Sequence, residues 1–156
     1  MTSSSYTQDN RFLELTTPLG KDVLLINSFS ISEKVSGLYT MEIETLYKGM
    51  VDPKKLLGQP VSIKVKIEPN DARYFHGIVN EVEIGSETER FRHFRLVAVP
   101  TAWLLTLTKD FKVFEKKDVL DIVKEILSGA GVQHRLDTTG TYTKRDHCVQ
   151  FRETNF

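Results

Sequence analysis

Arg73-Tyr74-Phe75-His76-Gly77-Ile78-Val79 follows an alternating run across a tight turn, and reading the two as a β-hairpin decides the fold. In the run before it, Val61, Ile63, Val65 and Ile67 alternate with Ser62, Lys64, Lys66 and Glu68. A period of two is what a strand shows when one sheet face is buried and the other is wet. Pro69-Asn70-Asp71 then breaks the pattern. Asn and Asp bond their own backbone and tolerate turn dihedrals, and Pro lacks the N–H that a central ladder needs. The return strand is expected to carry Tyr74, His76, Ile78, Val82 and Ile84 on one face. Gly77 in mid-strand predicts a bulge or a close approach by another backbone.

Further runs flank the hairpin. The polar start of the chain is expected to be mobile, and Arg11 to Leu15 forms the first strand candidate, closed by Thr16-Thr17-Pro18-Leu19-Gly20. Val23-Leu24-Leu25-Ile26 is continuously apolar, and its β-branching and the neighbouring Gly20 favour strand over helix. Serine-rich Ser28 to Gly37 reads as a connection, after which Tyr39, Met41, Ile43 and Thr45 alternate with polar residues. Asp52, Pro53 and Gly58 are the cap, first position and stop of a single helical turn. Past the polar turn Gly85 to Glu89, one face of a strand is expected to hold Phe91, His93, Arg95, Val97 and Val99, the other Arg92, Phe94, Leu96 and Ala98. With apolar groups on both faces this strand is expected near the middle of a sheet.

Six strand candidates joined by short turns predict a mainly β architecture: a closed or nearly closed antiparallel barrel over residues 1–107. Its core is expected to contain Ile63, Val65, Ile78, Val82 and Val97. Residues 108–156 read as an α/β segment that begins a second domain. Ala102-Trp103-Leu104-Leu105 is a short helix or bend before it, and Phe111 to Phe114 is strand-like. Asp118 is a good N-cap, and Val119, Ile122, Val123, Ile126 and Leu127 keep the spacing of one buried helical stripe, stopped by Gly129 and Gly131. Val132 to Leu136 and Cys148 to Phe151 are short strand candidates. A new helix is expected to start at Glu153-Thr154-Asn155-Phe156, so the chain reads as cut short.

Composition narrows the function. Lys plus Arg number 21 and Asp plus Glu number 21, so no global field draws in phosphate backbones or acidic lipids, and nucleic acid is not an expected partner. No run is long enough to span a membrane. One cysteine, Cys148, gives neither an internal disulfide framework nor a cysteine-rich zinc site. The start, Met1 to Gln8, lacks the basic and apolar regions of a secretory signal. Synthesis and folding in a reducing cytoplasm are therefore expected, with any export by another route.

No phosphate-cradling glycine loop, nucleophile elbow or paired-histidine helix is present. Isolated candidates remain, and each has a plainer reading. His76, beside Tyr74 and Ile78, has the chemistry of a base or ligand, but without a specified partner it reads as a packed or hydrogen-bonded histidine. His147 and Cys148 are adjacent on a strand and so point to opposite faces, which does not make a metal site. Glu81 and Glu83 share a face without apolar surroundings to raise a pKa, so they read as solvated rather than as a catalytic pair. Lys109, Lys112, Lys116 and Lys117 form a basic surface without the interleaved aromatics of a single-strand-binding groove, open to a partner. Trp103 reads as a plug at the end of the barrel. No catalytic, cofactor-binding or metal-binding residue is assigned.

In order and spacing, four segments together resemble the N-terminal part of VgrG spike proteins of type VI secretion systems, which is similar to the tail hub of contractile phages. They are Leu57-Gly58-Gln59-Pro60, Tyr74-Phe75-His76-Gly77-Ile78-Val79, Trp103-Leu104-Leu105-Thr106-Leu107, and Cys148-Val149-Gln150-Phe151-Arg152-Glu153-Thr154-Asn155-Phe156. The resemblance implies a tail-tube-like barrel with a structural and not a catalytic role, and no cofactor. It implies as partners the tube protein, further copies of the chain in a full-length trimer, and effectors or adaptors, with delivery out of the cell by the secretion apparatus. It also implies that needle, second barrel and effector domains lie beyond this segment. The competing reading is an enzymatic or small-ligand-binding barrel whose cavity His76 and Tyr74 would line.

Overall fold

The computed structural model describes residues 6–68 and 71–156, so the start of the chain and two residues of the expected hairpin loop, Pro69 and Asn70, lie outside the described residues. The chain divides into two compact units, Met1–Pro100 and Thr101–Phe156. The segment Thr101–Thr106, which a boundary at 107 assigns to the barrel, lies in the second of these.

The first unit is a six-stranded antiparallel sheet. Its strands are β1 (Leu13–Thr16), β2 (Leu24–Ser32), β3 (Thr40–Tyr47), β4 (Pro60–Glu68), β5 (Asp71–Glu87) and β6 (Arg92–Val99), in the spatial order β1-β4-β5-β6-β3-β2. The two outer strands of that order, β1 and β2, come together and nearly close the barrel. The interior is filled by side chains of every strand, with Met41, Ile43, Leu56, Ile63, Phe94, Leu96 and Ala98 fully buried. Tyr47 stacks on Phe94 with ring centroids 4.2 Å apart. The expected turn before β4 is present as a 3-10 turn, Pro53–Lys55, in which the Asp52 carboxylate accepts from the Lys54 N–H at 3.0 Å.

Two of the sheet's bulges bear on which core candidates face inward. In β5, Val79 pairs with Ala98 and Glu81 with Val97, leaving Asn80 as the extra residue. A one-residue insertion moves every later side chain to the opposite face. Phe75, Gly77 and Val79 therefore point into the barrel before the bulge and Val82 after it, whereas Tyr74, His76 and Ile78 point out. The single face expected for Tyr74, His76, Ile78, Val82 and Ile84 is thus split. Ile78 and Val97 fall outside the core, while Ile63 is fully buried and Val65 and Val82 pack against it. In β6 the interior belongs to Phe94, Leu96 and Ala98. The second bulge, between Ile26 and Ser28, lets β2 continue through the expected serine-rich connection, with Phe29 and Ile31 packed inward and Ser28, Ser30 and Ser32 exposed.

Gly77 meets the expectation of a close approach. A Cβ there would stand 3.0 Å from the Val99 carbonyl oxygen and 2.8 Å from the Met41 methyl. No larger side chain fits between these neighbours without moving one of them.

The second unit contains the 3-10 segment Thr101–Thr106, β7 (Lys109–Lys117), α1 (Val119–Gly129) and β8 (Arg145–Thr154), with β7 and β8 paired antiparallel. Asp118 caps α1, its carboxylate accepting from the N–H groups of Leu120 and Asp121 at 2.9 and 3.0 Å. Gly131, at φ +67°, terminates it. The expected stripe is present as a half-buried one: Ile122, Val123, Ile126 and Leu127 are partly covered and Val119 is exposed. Val132 to Leu136 is irregular rather than strand. Glu153 and Thr154 complete β8, where a helix was expected to begin. Pairing with β7 continues as far as Thr154 and holds this stretch extended.

Candidate docking surfaces

With the barrel interior occupied, chemistry that this unit performs toward a partner belongs to its outer wall. On the wall of β3, β6 and β5, register places Glu44, Arg95 and Glu83 in one row and Glu42, Val97 and Glu81 in the next. The Arg95 guanidinium gathers three of these carboxylates, reaching Glu83 at 2.9 Å, Glu42 at 3.0 Å and Glu44 at 3.9 Å. The Glu83 hydrogen bond, then that of Glu42, pushes the Arg95 pKa above its ordinary value. Arg95 is therefore a fixed cation in an acidic wall. Glu81, read together with Glu83 as part of a solvated face, sits opposite Val97, and Glu83 is bound to Arg95.

Across β1 and β4 the wall is basic. Glu14 joins Lys66 at 2.5 Å and Lys64 at 3.5 Å, and the hydrogen bond from Lys66 leads in lowering the Glu14 pKa against partial burial. Beside them on β5, Tyr74 and His76 stand outward with their rings nearly parallel, centroids 6.2 Å apart. The Tyr39 hydroxyl donates to the His76 carbonyl at 2.5 Å, and burial, followed by the charge of Glu33, raises the Tyr39 pKa. A surface recess of about 230 Å³ opens here, bordered by Ile31, Glu33, Tyr39, Met41 and Arg73 to His76, with the Arg73 guanidinium 4.6 Å from the centre of the Phe75 ring. Tyr74, Phe75 and His76 thus border an open hollow, which the core residue Met41 and the core-packing Ile31 also line.

In the second unit, Phe111 pairs with Phe151 and Val113 with Val149 on one face of the β7–β8 hairpin. All four are more than half exposed, and the two phenyl rings meet edge to face with centroids 5.0 Å apart. The opposite face carries Phe114 and Gln150, both buried. His147 lies on the exposed face, 3.9 Å from Glu115, and Cys148 on the other, as adjacent strand residues must. Among the described residues no group of three or more His, Cys, Asp or Glu is arranged to hold a metal ion. Of the basic cluster, Lys112 pairs with Asp110 at 3.7 Å and Lys117 with Glu125. Trp103 is half-buried, and Leu105 is the buried residue of its segment. No helix among the described residues is long and apolar enough to cross a membrane.

Sequence reasoning missed the role of Arg95 because the strand order that joins Glu42, Glu83 and Arg95 is tertiary information. The available signal was that all three occupy polar positions of alternating strands. It also missed Gln8, whose side chain is buried and bonded to two strands.

A family model described as Phage tail baseplate hub (GPD) matches residues 32–156. Among curated proteins, the type VI secretion system spike protein VgrG1c of Pseudomonas aeruginosa is 31% identical over 153 residues, covering 97% of this chain and 21% of that protein. VgrG1a of the same organism is 31% identical over 151 residues, covering 96% of this chain and 24% of the relative. The chain therefore spans about a fifth to a quarter of the length of these relatives. Among solved structures, the E. coli c3393 protein, described as a type VI secretion component structurally similar to the T4 tail proteins gp27 and gp5, superposes with a TM-score of 0.73 at 18% identity. That match covers 92% of this chain and 40% of the other. The 43 kDa tail protein of prophage MuSo2 from Shewanella oneidensis gives 0.67 at 13% identity, covering 92% and 46%. These structural likenesses establish a shared fold, and the family match runs from the last residue of β2 to the end of β8 and beyond. The chain belongs to the phage tail baseplate hub (GPD) family.

Proposed function

We propose that this chain is a structural hub module of a type VI secretion apparatus, one that seats the spike on the tube and supports effector delivery. The observation that carries this reading is the match to the baseplate hub family over residues 32–156, on a barrel whose interior holds a core of buried apolar side chains. Apolar side chains occupy that interior, whereas ligand sites are concave, with a few convergent polar groups. The module acts without a catalytic residue or cofactor of its own, and its work is done by surfaces. Its partners are the tube protein, other copies of itself in a full-length trimer, and effectors or adaptors. Nucleic acid and membrane insertion have no part in this segment. The first unit serves as the hub barrel and the second as the beginning of a further domain. The protein leaves the cell through the apparatus.

The test is co-purification of the full-length protein with the tube subunit from cells that assemble the apparatus. Recovery of the tube subunit, reduced by charge reversal on the barrel wall such as Glu42→Lys with Glu83→Lys, is the expected result. Full secretion activity after the barrel is deleted would overturn the assignment.

A further inference from the structure

The spatial order of the six strands leaves β1 and β2 at its two ends, and they meet without a ladder between them. Closure instead passes through one side chain that precedes both. Gln8 is 4% exposed. Its Nε2 donates to the Leu15 carbonyl at 3.1 Å, and its Oε1 accepts from the Leu15 N–H at 3.0 Å and from the Ile26 N–H at 3.2 Å. The amide thus gives Leu15 of β1 both bonds that a facing strand residue would supply, and binds β2 with the same oxygen. The bond to Ile26 falls beside the β2 bulge, where the ladder to β3 is already interrupted.

Among the described residues, the segment that carries Gln8 is held by a handful of contacts. Tyr6 meets Phe91 edge to face with ring centroids 4.8 Å apart, the Gln8 backbone N–H donates to Asp22 at 2.9 Å, its carbonyl accepts from the Arg11 N–H at 3.0 Å, and Asp9 pairs with Lys21 at 2.8 Å. Asp9 and Lys21 are mostly exposed, and contacts of that kind hold weakly. Strands β3 and β6, by contrast, are paired on both sides and bury their inner side chains completely. A seam bridged by a side-chain amide instead of a backbone ladder is expected to open at lower cost than the laddered junctions of the sheet.

We propose that Gln8 is a latch on the barrel, and that the barrel opens first along the β1–β2 seam when the N-terminal strap lifts. Lifting uncovers the Leu15 N–H and C=O and the Ile26 N–H on two facing edges. Unpaired edge groups of that kind accept an extended backbone. The strap therefore controls whether the barrel presents a closed wall or a pair of strand edges.

Amide hydrogen exchange on the whole chain tests this. In the unaltered protein the Leu15 and Ile26 amides are expected to exchange faster than those of β3 and β6, and Gln8→Met, which keeps the bulk and removes the bonds, is expected to speed both by about tenfold or more while β3 and β6 change little. Leu15 and Ile26 amides as slow as those of β3 in the unaltered protein would overturn the proposal. So would a Gln8→Met variant in which they are unchanged, or in which exchange rises equally throughout the barrel. If Gln8→Met does not fold, the exchange order in the unaltered protein decides alone.

Discussion

Phe94 and Phe151 sit in strands of similar length, one in each unit, and their surroundings differ completely. Phe94 is fully buried, stacked on Tyr47 inside a closed layer to which all six strands contribute. Phe151 is 66% exposed, on a hairpin face it shares with Phe111, Val113 and Val149. The first unit has enough strands to curl round and cover its own apolar side chains, and its charges lie outside in networks such as that of Arg95. A two-stranded sheet has two faces, and α1 is the one α-helix described in its unit. The lesson is that alternation in a sequence marks sidedness, and that burial further requires enough elements to close a layer.

The largest expected contrast follows directly. Phe94→Ala removes a ring from a filled interior and is expected to destabilise the barrel by about 3–5 kcal/mol. Phe151→Ser changes an exposed position and is expected to shift stability by no more than about 0.5 kcal/mol. Urea unfolding of both variants checks the pair, and equal losses would erase the distinction between the units.

A smaller effect probes how tightly the barrel is filled. Gly77→Ala places a methyl against the Val99 carbonyl and the Met41 methyl, and overpacking of this kind costs about 1–3 kcal/mol. A variant as stable as the parent would mean that the interior has slack. In the second unit, Asp118→Ala removes both cap bonds and is expected to cost about 1 kcal/mol, seen as lost helix signal with the barrel unaffected.

The smallest effect is acid-dependent. The Gln8 N–H, ahead of the other contributions and against slight desolvation, lowers the Asp22 pKa from its ordinary 3.8. A carboxyl depressed in the folded state adds stability above its unfolded pKa and loses it as pH falls through the folded one. The advantage of the parent over Asp22→Asn, read as a urea midpoint, is therefore expected to hold from neutral pH to about 4 and to disappear below that.

Much of the barrel was legible because Val61 to Ile67 and Tyr39 to Thr45 alternate without interruption. The faces were harder to read. One inserted residue, Asn80, reverses inside and outside along β5, and no propensity distinguishes Asn80 from its neighbours as the extra one. Val97 and Leu96 are equally apolar, and register alone assigns Leu96 to the interior. Ser28 to Ser32 read as a connection because serine is common in loops, yet Phe29 and Ile31 between the serines supply an inward face. The outer wall followed the same limit: His76 and Tyr74 were singled out for their chemistry, but their orientation was set by the bulge beyond them. Gln8 gave no signal, since an amide becomes a strand substitute only where two edges happen to meet on either side of it.

Trp103 is the one tryptophan of the chain and lies in the second unit, whereas Ile43 is fully buried in the first. Following Trp103 fluorescence and an Ile43 methyl resonance through the same urea titration therefore reports the two units separately. If the filled barrel is the rigid scaffold of a docking module and the second unit the less complete part, the Trp103 signal will be lost at clearly lower urea than that of Ile43. Coincident transitions, or loss of the Ile43 signal first, would contradict it.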